Sequence, residues 1–313
     1  MTKWKWGLAL LCSLPAWAQI PQDQAQTLAQ LSGLTEQQVQ DSMAGVEKNQ
    51  KILDAIATPW EAKPWYQYRP IFITPERLKK GLAFWRANEA LLQQAEAQYQ
   101  VPAAMIVAII GVETYYGAHM GTYPVRDALY TLGFYYPARG AFFTKELGQY
   151  LKLAQQQGWQ QSPLGSYAGA MGMGQFIPSS YQHYAVDFDG DGKRDLFASN
   201  ADAIGSVANY FHEHGWQMGE PVLAGATVKG KAPLTDGLEL DTTLGALAKA
   251  GVSPAIAMDE ATPAKLFAFE QKDGTDYQVA FHNFYVITRY NRSPLYARAV
   301  WTLAQQLEQA HGK

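Results

Sequence analysis

The fold of this chain depends on one stretch, Val101-Pro-Ala-Ala-Met-Ile-Val-Ala-Ile-Ile-Gly-Val-Glu-Thr-Tyr-Tyr-Gly117. Pro102 suits the first position of a helix, and Gly117 suits the position just past its end. The residues between them are apolar on every face from Met105 to Val112, which is typical of a helix surrounded by other protein elements. The sequence therefore predicts a buried central helix.

One carboxylate, Glu113, lies near the C-terminal end of this predicted helix. Burial and the negative end of the helix dipole both disfavour its charged form, so both raise its pKa. A carboxylic acid that stays protonated near neutral pH is what general acid catalysis requires. The alternative is a structural glutamate that pairs with an arginine in the core.

The composition of the 313 residues is that of a globular protein, with 48% hydrophobic and 17% charged residues. A net charge of −3 gives no support for binding nucleic acid, which favours a basic surface. Aromatic residues make up 13% of the chain. They suit a groove that stacks on ring-shaped ligands such as sugars, although large aromatics also fill helical cores.

The N-terminus has the pattern of an export signal. Lys3 and Lys5 precede a short apolar run, and Ala18 ends a small-x-small cleavage site. Residues 1–18 are therefore predicted to be a signal peptide that is cleaved after Ala18, which indicates a periplasmic protein. Lipid anchoring at Cys12 is disfavoured because Leu11 stands where a small residue is required. Cleavage leaves a mature chain without cysteine.

Residues 19–100 are predicted to form a helical N-terminal region. Apolar residues at helical spacing indicate one or two amphipathic helices over 22–49. Residues 58–75 are rich in proline and aromatics and are predicted to be irregular, either a lid on the core or a wall of a groove. Thr74-Pro75 then begins a helix that is expected to continue towards Tyr99.

Residues 101–216 and 282–313 are predicted to form one core, interrupted by an insertion. Helices are expected over 142–157, over 201–214 and from Ser293-Pro294 to the end of the chain. Residues 217–281 contain recurring Gly and Pro with short apolar runs at 222–223, 226–228, 238–240 and 277–281. This pattern predicts a small β-containing insertion.

A glycine-rich stretch covers residues 165–180. It lacks the third glycine of a dinucleotide fingerprint and the Gly-Lys-Ser/Thr of a phosphate loop. Small residues let backbone amides approach a ligand closely, while polar side chains such as Ser166 and Gln175 orient it. The alternative is a tight turn that packs against a helix.

An acidic segment follows and resembles the first half of a calcium loop of the EF-hand type. The matching positions are Asp187 at 1, Asp189 at 3, Asp191 at 5, Gly192 at 6, Lys193 at 7 through its carbonyl, and Asp195 at 9. Position 12 is Ala198 instead of Glu, so Asp202 is the residue that could close a longer loop. The alternative is a solvated acidic turn.

Four motifs occur in series, and together they resemble the lytic murein transglycosylase B family, glycoside hydrolase family 103. The motifs are 111–117 around Glu113, the glycine-rich stretch 165–180, the Asp187 loop and Ile287-Thr-Arg-Tyr-Asn291. The resemblance implies a mainly α fold with a lysozyme-like helical core, a helical N-terminal region and a small β-containing insertion. It also implies a structural Ca²⁺ in a loop over 187–202 and no organic cofactor.

The resemblance further implies the reaction and the partners. The expected enzyme is a lytic transglycosylase that cleaves the β-1,4 bond between N-acetylmuramic acid and N-acetylglucosamine in peptidoglycan glycan strands. The muramic acid's own C6 hydroxyl attacks, which leaves a 1,6-anhydro end. Glu113 would be the only acid and then the only base. Other proteins of cell-wall remodelling are candidate partners.

The resemblance also assigns substrate-binding roles by position. Ser166 would orient the N-acetyl group or the reacting sugar. The other expected contacts are Gln175, Tyr290, Asn291, Tyr296, Tyr68 and Arg139. The family commonly has two arginines after Tyr-Pro, but here the first is replaced by Ala138.

Two alternative functions are retained at this point. A lysozyme-type hydrolase would need a second carboxylate to hold water, and the motifs contain no obvious one. A peptidoglycan-binding scaffold would have kept the fold and lost catalysis. The presence of Glu113, Ser166 and Gln175 together argues against the scaffold.

Overall fold

The computed structural model describes residues 19–57 and 63–312, and the described part is mainly α, as the sequence predicts. The predicted signal peptide, with Cys12 and Ala18, lies outside the described residues. The helices are α1 (Gln22–Ser32), α2 (Glu36–Ser42), α3 (Gln50–Ile56), α4 (Trp65–Phe72), α5 (Pro75–Ala87), α6 (Glu89–Tyr99), α7 (Ala103–Thr114), α8 (Val125–Tyr135), α9 (Gly140–Gln157), α10 (Pro178–Tyr184), α11 (Asn200–Glu213), α12 (Leu244–Lys249), α13 (His282–Tyr290) and α14 (Pro294–His311). The strands are β1 (Tyr123–Pro124), β2 (Leu164–Gly165), β3 (Leu223–Val228), β4 (Thr242–Thr243), β5 (Val252–Pro254), β6 (Pro263–Gln271) and β7 (Gly274–Ala280).

Helix α7 is the buried central helix that the sequence predicts. Every residue from Ala103 to Val112 is buried, and α7 contacts α5, α6, α11 and α14. An apolar surface on all sides has no face that favours water, so the chain surrounds it. In the described part of the chain no single helix is long and apolar enough to cross a membrane; α6 and α7 meet those criteria only as a pair bent by 114°.

The end of α7 differs from the prediction, because the helix stops three residues before Gly117. Tyr115 and Tyr116 adopt left-handed φ values of 54° and 62° before Gly117 does so at 85°. Bulky residues rarely occupy this region, so the surrounding contacts must compensate for the strain. The Tyr116 hydroxyl donates to the Arg77 carbonyl at 3.0 Å, and the Arg77 guanidinium lies 4.9 Å from the centre of the Tyr115 ring.

The Tyr116 ring fills the space between α5 and α7 because both helices carry a glycine there. A Cβ at Gly111 would lie 2.6 Å from Cζ of Tyr116, and one at Gly81 would lie 2.4 Å from its hydroxyl oxygen. We expect Gly111→Ala to lower the free energy of unfolding by about 1–3 kcal/mol through overpacking, despite the higher helix propensity of alanine. Urea denaturation measures this loss.

The matched control for Gly111→Ala removes the ring that it would strike. In a Tyr116→Ala background, Gly111→Ala should no longer destabilise the protein, because the ring that the new methyl group would strike has been removed. An equal loss of stability in both backgrounds would mean that the Tyr116 ring is not the cause.

Two predictions for the N-terminal region are wrong in part. Residues 65–72, expected to be irregular, form α4 with Pro70 inside it, because burial of Trp65 and Tyr68 outweighs the lost backbone hydrogen bond. The single helix expected from residue 75 to Tyr99 is broken at Asn88, whose side chain donates back to the Phe84 carbonyl at 2.8 Å. Residues 58–62 lie outside the described part of the chain.

The small sheet is antiparallel, with the strand order β4-β6-β7-β3-β5, and its strands lie within residues 223–280. The strand expected at 238–240 is absent, and β6, the longest strand of this sheet, is not recognised from the sequence. Both errors have the same cause, since short apolar runs form strands only where a partner strand forms hydrogen bonds with their backbone N–H and C=O groups. Residues 238–240 find no such partner, whereas β6 pairs with both β4 and β7.

Candidate active site

Glu113 lies in the last turn of α7 and receives a hydrogen bond from the C-terminal helix. The Tyr296 hydroxyl, in the first turn of α14, donates to Oε1 of Glu113 at 2.5 Å. Ser293 caps α14 by accepting from the backbone N–H of Tyr296, which places Tyr296 near the helix start. The Glu113 side chain is half-buried, so part of its surface remains accessible.

Burial raises the pKa of Glu113 to about 7, and the hydrogen bond from Tyr296 lowers that pKa in part. Dense protein around the carboxyl group disfavours its charged form even though the group is partly accessible. Burial also raises the pKa of Tyr296 well above its usual value, with a further contribution from the charge of Glu113. Tyr296 therefore stays a hydrogen-bond donor while Glu113 can gain or lose a proton near neutral pH.

Two further tyrosines surround this pair. Tyr290, the last residue of α13, donates its hydroxyl to the Gly174 carbonyl at 2.5 Å, and the charge of Glu113 is among the causes that raise its pKa, after burial. Tyr68 is buried on α4, which packs against α14, the helix that carries Tyr296. The structure thus brings together the elements that carry all three tyrosines assigned to substrate binding by the resemblance.

The glycine-rich stretch is attached to the end of α7 by Thr114. Its hydroxyl donates to the Met173 carbonyl at 2.8 Å and accepts from the backbone N–H of Gly117 at 3.0 Å. Because Thr114 follows Glu113 directly, the distance between the carboxyl group and the glycine-rich stretch is set by this buried contact. Sequence reasoning did not single out Thr114, although its position beside the acid was a usable signal.

Ser166 and Gln175 are both constrained within the glycine-rich stretch. The Ser166 hydroxyl oxygen accepts from the backbone N–H groups of Ala168 and Ala170 at 3.2 and 3.0 Å, which leaves its own hydrogen to donate. Gln175 has a left-handed φ of 50°, and its side-chain nitrogen donates to the carbonyls of Met120 and Gly172. The side-chain oxygen of Gln175 is left as an acceptor.

Two other predicted contacts lie at the ends of helices α13 and α9. Asn291 is exposed and directly follows α13 and Tyr290. Arg139 is exposed at the start of α9, where its guanidinium lies 4.5 Å from the centre of the Phe142 ring. Among the described residues no contact joins Arg139 to Glu113, so its role stays a prediction.

Three carboxylates of the acidic loop converge in space. Oxygens of Asp187, Asp189 and Asp202 lie within 4.8 Å of one another, and in the described chain no lysine or arginine forms an ion pair with them. Asp202 is only 1% exposed, and burial raises its pKa despite hydrogen bonds from the backbone N–H groups of Asp195 and Phe188. Three carboxylates this close favour a bound cation.

The remaining predicted members of the loop have other contacts. Asp191 accepts from the backbone N–H of Lys193 at 2.8 Å, and it is not one of the three converging carboxylates. Asp195 accepts from the backbone N–H groups of Phe197 and Ala198, which holds the turn before α11. This geometry favours Asp202 over Asp195 as the late ligand of a cation.

Comparison with known proteins gives a consistent result. Residues 17–305 match the family described as the transglycosylase SLT domain. The chain is 42% identical over 287 residues to the membrane-bound lytic murein transglycosylase B of Escherichia coli, covering 87% of this chain and 78% of that protein. The soluble lytic transglycosylase SltB1 of Pseudomonas aeruginosa has 44% identity and a TM-score of 0.87, covering 93% of this chain and 100% of that chain. The Escherichia coli lytic transglycosylase Slt35 in complex with calcium has 39% identity and a TM-score of 0.84, with 93% of each chain covered.

Proposed function

Because the chain belongs to the transglycosylase SLT domain family, we propose that Glu113 acts as its single acid and base. The protein is a lytic transglycosylase, and its substrate is the glycan strand of peptidoglycan. It therefore acts outside the cytoplasm, at the cell wall. The observation that carries the proposal is the half-buried Glu113 carboxyl group, whose pKa burial raises to about 7.

The hydrogen bond from Tyr296 suggests how the proton is directed. Since Oε1 of Glu113 accepts from Tyr296, Oε2 is left to carry the proton towards the glycosidic oxygen. Protonation of that oxygen lets the bond to the anomeric carbon break, and Glu113 becomes a carboxylate. It then removes the proton from the C6 hydroxyl of the same sugar, whose oxygen attacks the anomeric carbon and forms the anhydro ring.

One carboxylate suffices in this scheme because the nucleophile belongs to the substrate. Glycosidases that use water or a covalent intermediate need two carboxyl groups, whereas an intramolecular hydroxyl has a high effective molarity. The scheme therefore requires only Glu113, whereas a lysozyme-type hydrolase would need a second carboxyl group beside the cleaved bond.

The other site residues have proposed roles that their contacts support. The free hydrogen of the Ser166 hydroxyl would bind an acceptor on the reacting sugar, such as the oxygen of its N-acetyl group. The remaining residues proposed to line the glycan groove are Tyr68, Arg139, Gln175, Tyr290, Asn291 and Tyr296.

The products of digestion test the reaction directly. When the enzyme digests purified sacculi, we expect mass spectra in which the new muramic acid ends are lighter than hydrated, reducing ends by one water. A lysozyme digest of the same sacculi provides the hydrated reference. If only hydrated ends appear, the hydrolase alternative is correct and the proposed mechanism is wrong.

The pH dependence of turnover tests the role of Tyr296. Because Glu113 must carry a proton to act as the acid, we expect kcat to fall as the pH rises through about 7. Tyr296→Phe removes a hydrogen bond that lowers the pKa of Glu113, so the fall should move to higher pH. A pH–rate profile of native protein and variant measures the shift, with Tyr285→Phe as a control at a half-buried tyrosine of α13 that does not contact Glu113. If the fall of kcat occurs at the same pH in the variant, or at a lower pH, this role of Tyr296 is contradicted.

We also propose a structural Ca²⁺ in the acidic loop. The donor set of Asp187, Asp189 and Asp202 consists of hard carboxylate oxygens, which fits calcium, and the related Slt35 structure is in complex with calcium. Bound there, the ion would neutralise the three carboxylates and hold the loop against α11. The backbone carbonyl of Lys193 and the carboxylate of Asp191 are the further ligands proposed from the spacing.

The compartment is proposed from the N-terminal sequence. Residues 1–18 would direct export and be cleaved after Ala18, which would leave the enzyme in the periplasm, where its substrate lies. N-terminal sequencing of the protein from a periplasmic extract tests this cleavage, and acylation found at Cys12 would overturn it. The domain division at residues 100, 216 and 281 likewise stays a proposal.

A further inference from the structure

A large cavity lies away from Glu113, between the N-terminal helices and α9. Its volume is about 730 Å³, and neither Glu113 nor any of its tyrosine neighbours lines it. Its polar and aromatic lining includes Gln38, Asp41, Arg126, Tyr150, Gln155 and Trp159. The mechanism at Glu113 makes no use of this cavity.

Trp159 is held in this cavity by the end of α9. Gly158 adopts a left-handed φ of 66°, and the backbone N–H of Trp159 donates to the Ala154 carbonyl at 3.0 Å. This arrangement fixes the backbone at Trp159. The ring packs edge-on against Tyr181 and Phe197 and at a tilt against Tyr150, yet the side chain stays half-buried. Within the described residues its indole N–H makes no hydrogen bond that would compete with a ligand.

A second cavity of about 610 Å³ also borders Trp159. It is lined by Gln156, Gln157, Lys193 and Arg194, among others, so its walls differ in charge from those of the first cavity.

The side chains around Trp159 favour a neutral, hydroxyl-rich ligand. The glutamines Gln155, Gln160 and Gln161 are exposed and offer amide donors and acceptors. Among the described residues that line the first cavity the only cation is Arg126, which is paired with Asp127 at 2.9 Å, and Asp41 adds a second carboxylate. The walls of the first cavity therefore carry an excess of one negative charge, which disfavours the carboxylates of stem peptides and is indifferent to sugars. The second cavity contains Lys193 and Arg194, so the inferred ligand site is confined to the first.

We propose that Trp159 and the glutamines beside it form an accessory binding site for peptidoglycan glycan, separate from the cleavage site. The proposal rests on the proposed function, since it takes the same polymer as its ligand. A sugar ring would stack on the indole, and its hydroxyl and N-acetyl groups would bind the glutamine amides.

The accessory site is connected to the cleavage site by the ribbon of β1 and β2. Ser162 in the cavity wall accepts from the backbone N–H of Arg126, and Leu164–Gly165 then pairs with Tyr123–Pro124. Ser166 follows directly, so it lies at most about 14 Å along the chain from Ser162. Glycan held at Trp159 would therefore keep the insoluble polymer close to Glu113, which raises the local concentration of cleavable bonds.

Binding to insoluble sacculi tests the proposal in a Glu113→Gln background, where the polymer stays intact. We expect Trp159→Ala to weaken co-sedimentation with sacculi about ten-fold, and Trp159→Phe to restore part of the binding. The double variant Gln155→Ala/Gln160→Ala leaves the packing of Trp159 in place and should weaken binding as well. The matched control is Gln93→Ala/Gln94→Ala, which removes two exposed glutamines of α6 that line neither cavity.

The polymer used in the assay identifies the ligand. Glycan strands freed of stem peptides should show the same loss on Trp159→Ala as whole sacculi. If the loss disappears on the freed strands, the site binds peptide and the glycan proposal is wrong. A second measurement uses protein that retains Glu113 and compares kcat/KM on sacculi with kcat/KM on a soluble fragment of two disaccharides. Trp159→Ala should lower the ratio of these two values about ten-fold.

Two results would separate this proposal from the function of Glu113. Unchanged sacculus binding by both the Trp159 and the glutamine variants would overturn the accessory site and leave the mechanism intact. Cleavage of sacculi by Glu113→Gln would overturn the mechanism, while the soluble-fragment ratio would still report on Trp159.

Discussion

Glu113→Gln is expected to lower the rate of glycan cleavage at least about 1,000-fold, because in the proposed mechanism one side chain serves both proton transfers. Glutamine has nearly the shape of glutamate and can still accept the hydrogen bond from Tyr296, so the site should keep its geometry. It can neither protonate the glycosidic oxygen nor deprotonate the C6 hydroxyl. The release of soluble fragments from sacculi measures the rate, and Glu308→Gln on the exposed face of α14 is the control.

The same variant is expected to be more stable than the native protein at alkaline pH. The pKa of Glu113 is about 7 in the folded protein, against an ordinary value of 4.5 for a glutamate exposed to water. Below pH 4.5 both states hold the proton, but between 4.5 and 7 only the folded state holds it. The free energy of unfolding of the native protein therefore falls by about 3 kcal/mol as the pH rises through this window.

Glutamine does not titrate, so the free energy of unfolding of Glu113→Gln should lack this decrease. Urea denaturation at pH 4 and pH 8 measures the difference between variant and native protein. A difference that is the same at both pH values would mean that the pKa of Glu113 is not raised, and a variant that retains full activity would refute the mechanism.

Removal of calcium is expected to lower the melting temperature by about 5 °C when the free ion had been present at about 100 times its dissociation constant. The proposed calcium would bind the folded loop and not the unfolded chain, since Asp202 meets Asp187 and Asp189 only after folding. Thermal unfolding with chelator, and after calcium or magnesium is restored, measures the effect. Magnesium should restore less, because it prefers a smaller octahedral site.

Two substitutions in the loop provide a matched test of the ligands. Asp189→Asn removes a converging carboxylate, and Ser199, which now donates to Asp189, can accept from the new amide instead. We expect this variant to lose most of the calcium response. Asp195→Asn should keep the response, since Asp195 caps the turn and is not among the converging carboxylates. Equal responses in the two variants would remove the proposed ligand assignment.

The relation between sequence and structure differs between the parts of the site. The prediction of a buried α7 is confirmed, because its apolar surface on every face is a local property of the sequence. The spacing of Asp187 and Asp189 is local too, and the structure brings both into one cluster. By contrast, the strained turn at Tyr115 and Tyr116 depends on contacts with α5, and no local signal predicts it.

The errors in the fold have the same origin. Helix α4 forms across Pro70 because the aromatic side chains of Trp65 and Tyr68 become buried, which local propensity does not include. The helix beyond Pro75 breaks at Asn88, whose side-chain oxygen accepts from Asn200 of α11. The strand conformation of β6 depends on its pairing with β7, so the residues of β6 alone do not indicate a strand.

The sequence by itself determined that one apolar helix ends in a carboxylate, that a glycine-rich stretch and an aspartate loop follow it, and that the four motifs occur in one series. Only the tertiary structure decided the environment of that carboxylate. Tyr296 is 183 residues away in the sequence, yet it donates to Glu113, and burial by the surrounding helices raises the pKa of Glu113. A pKa depends on the water and charges within a few ångströms, and these are set by how distant segments pack.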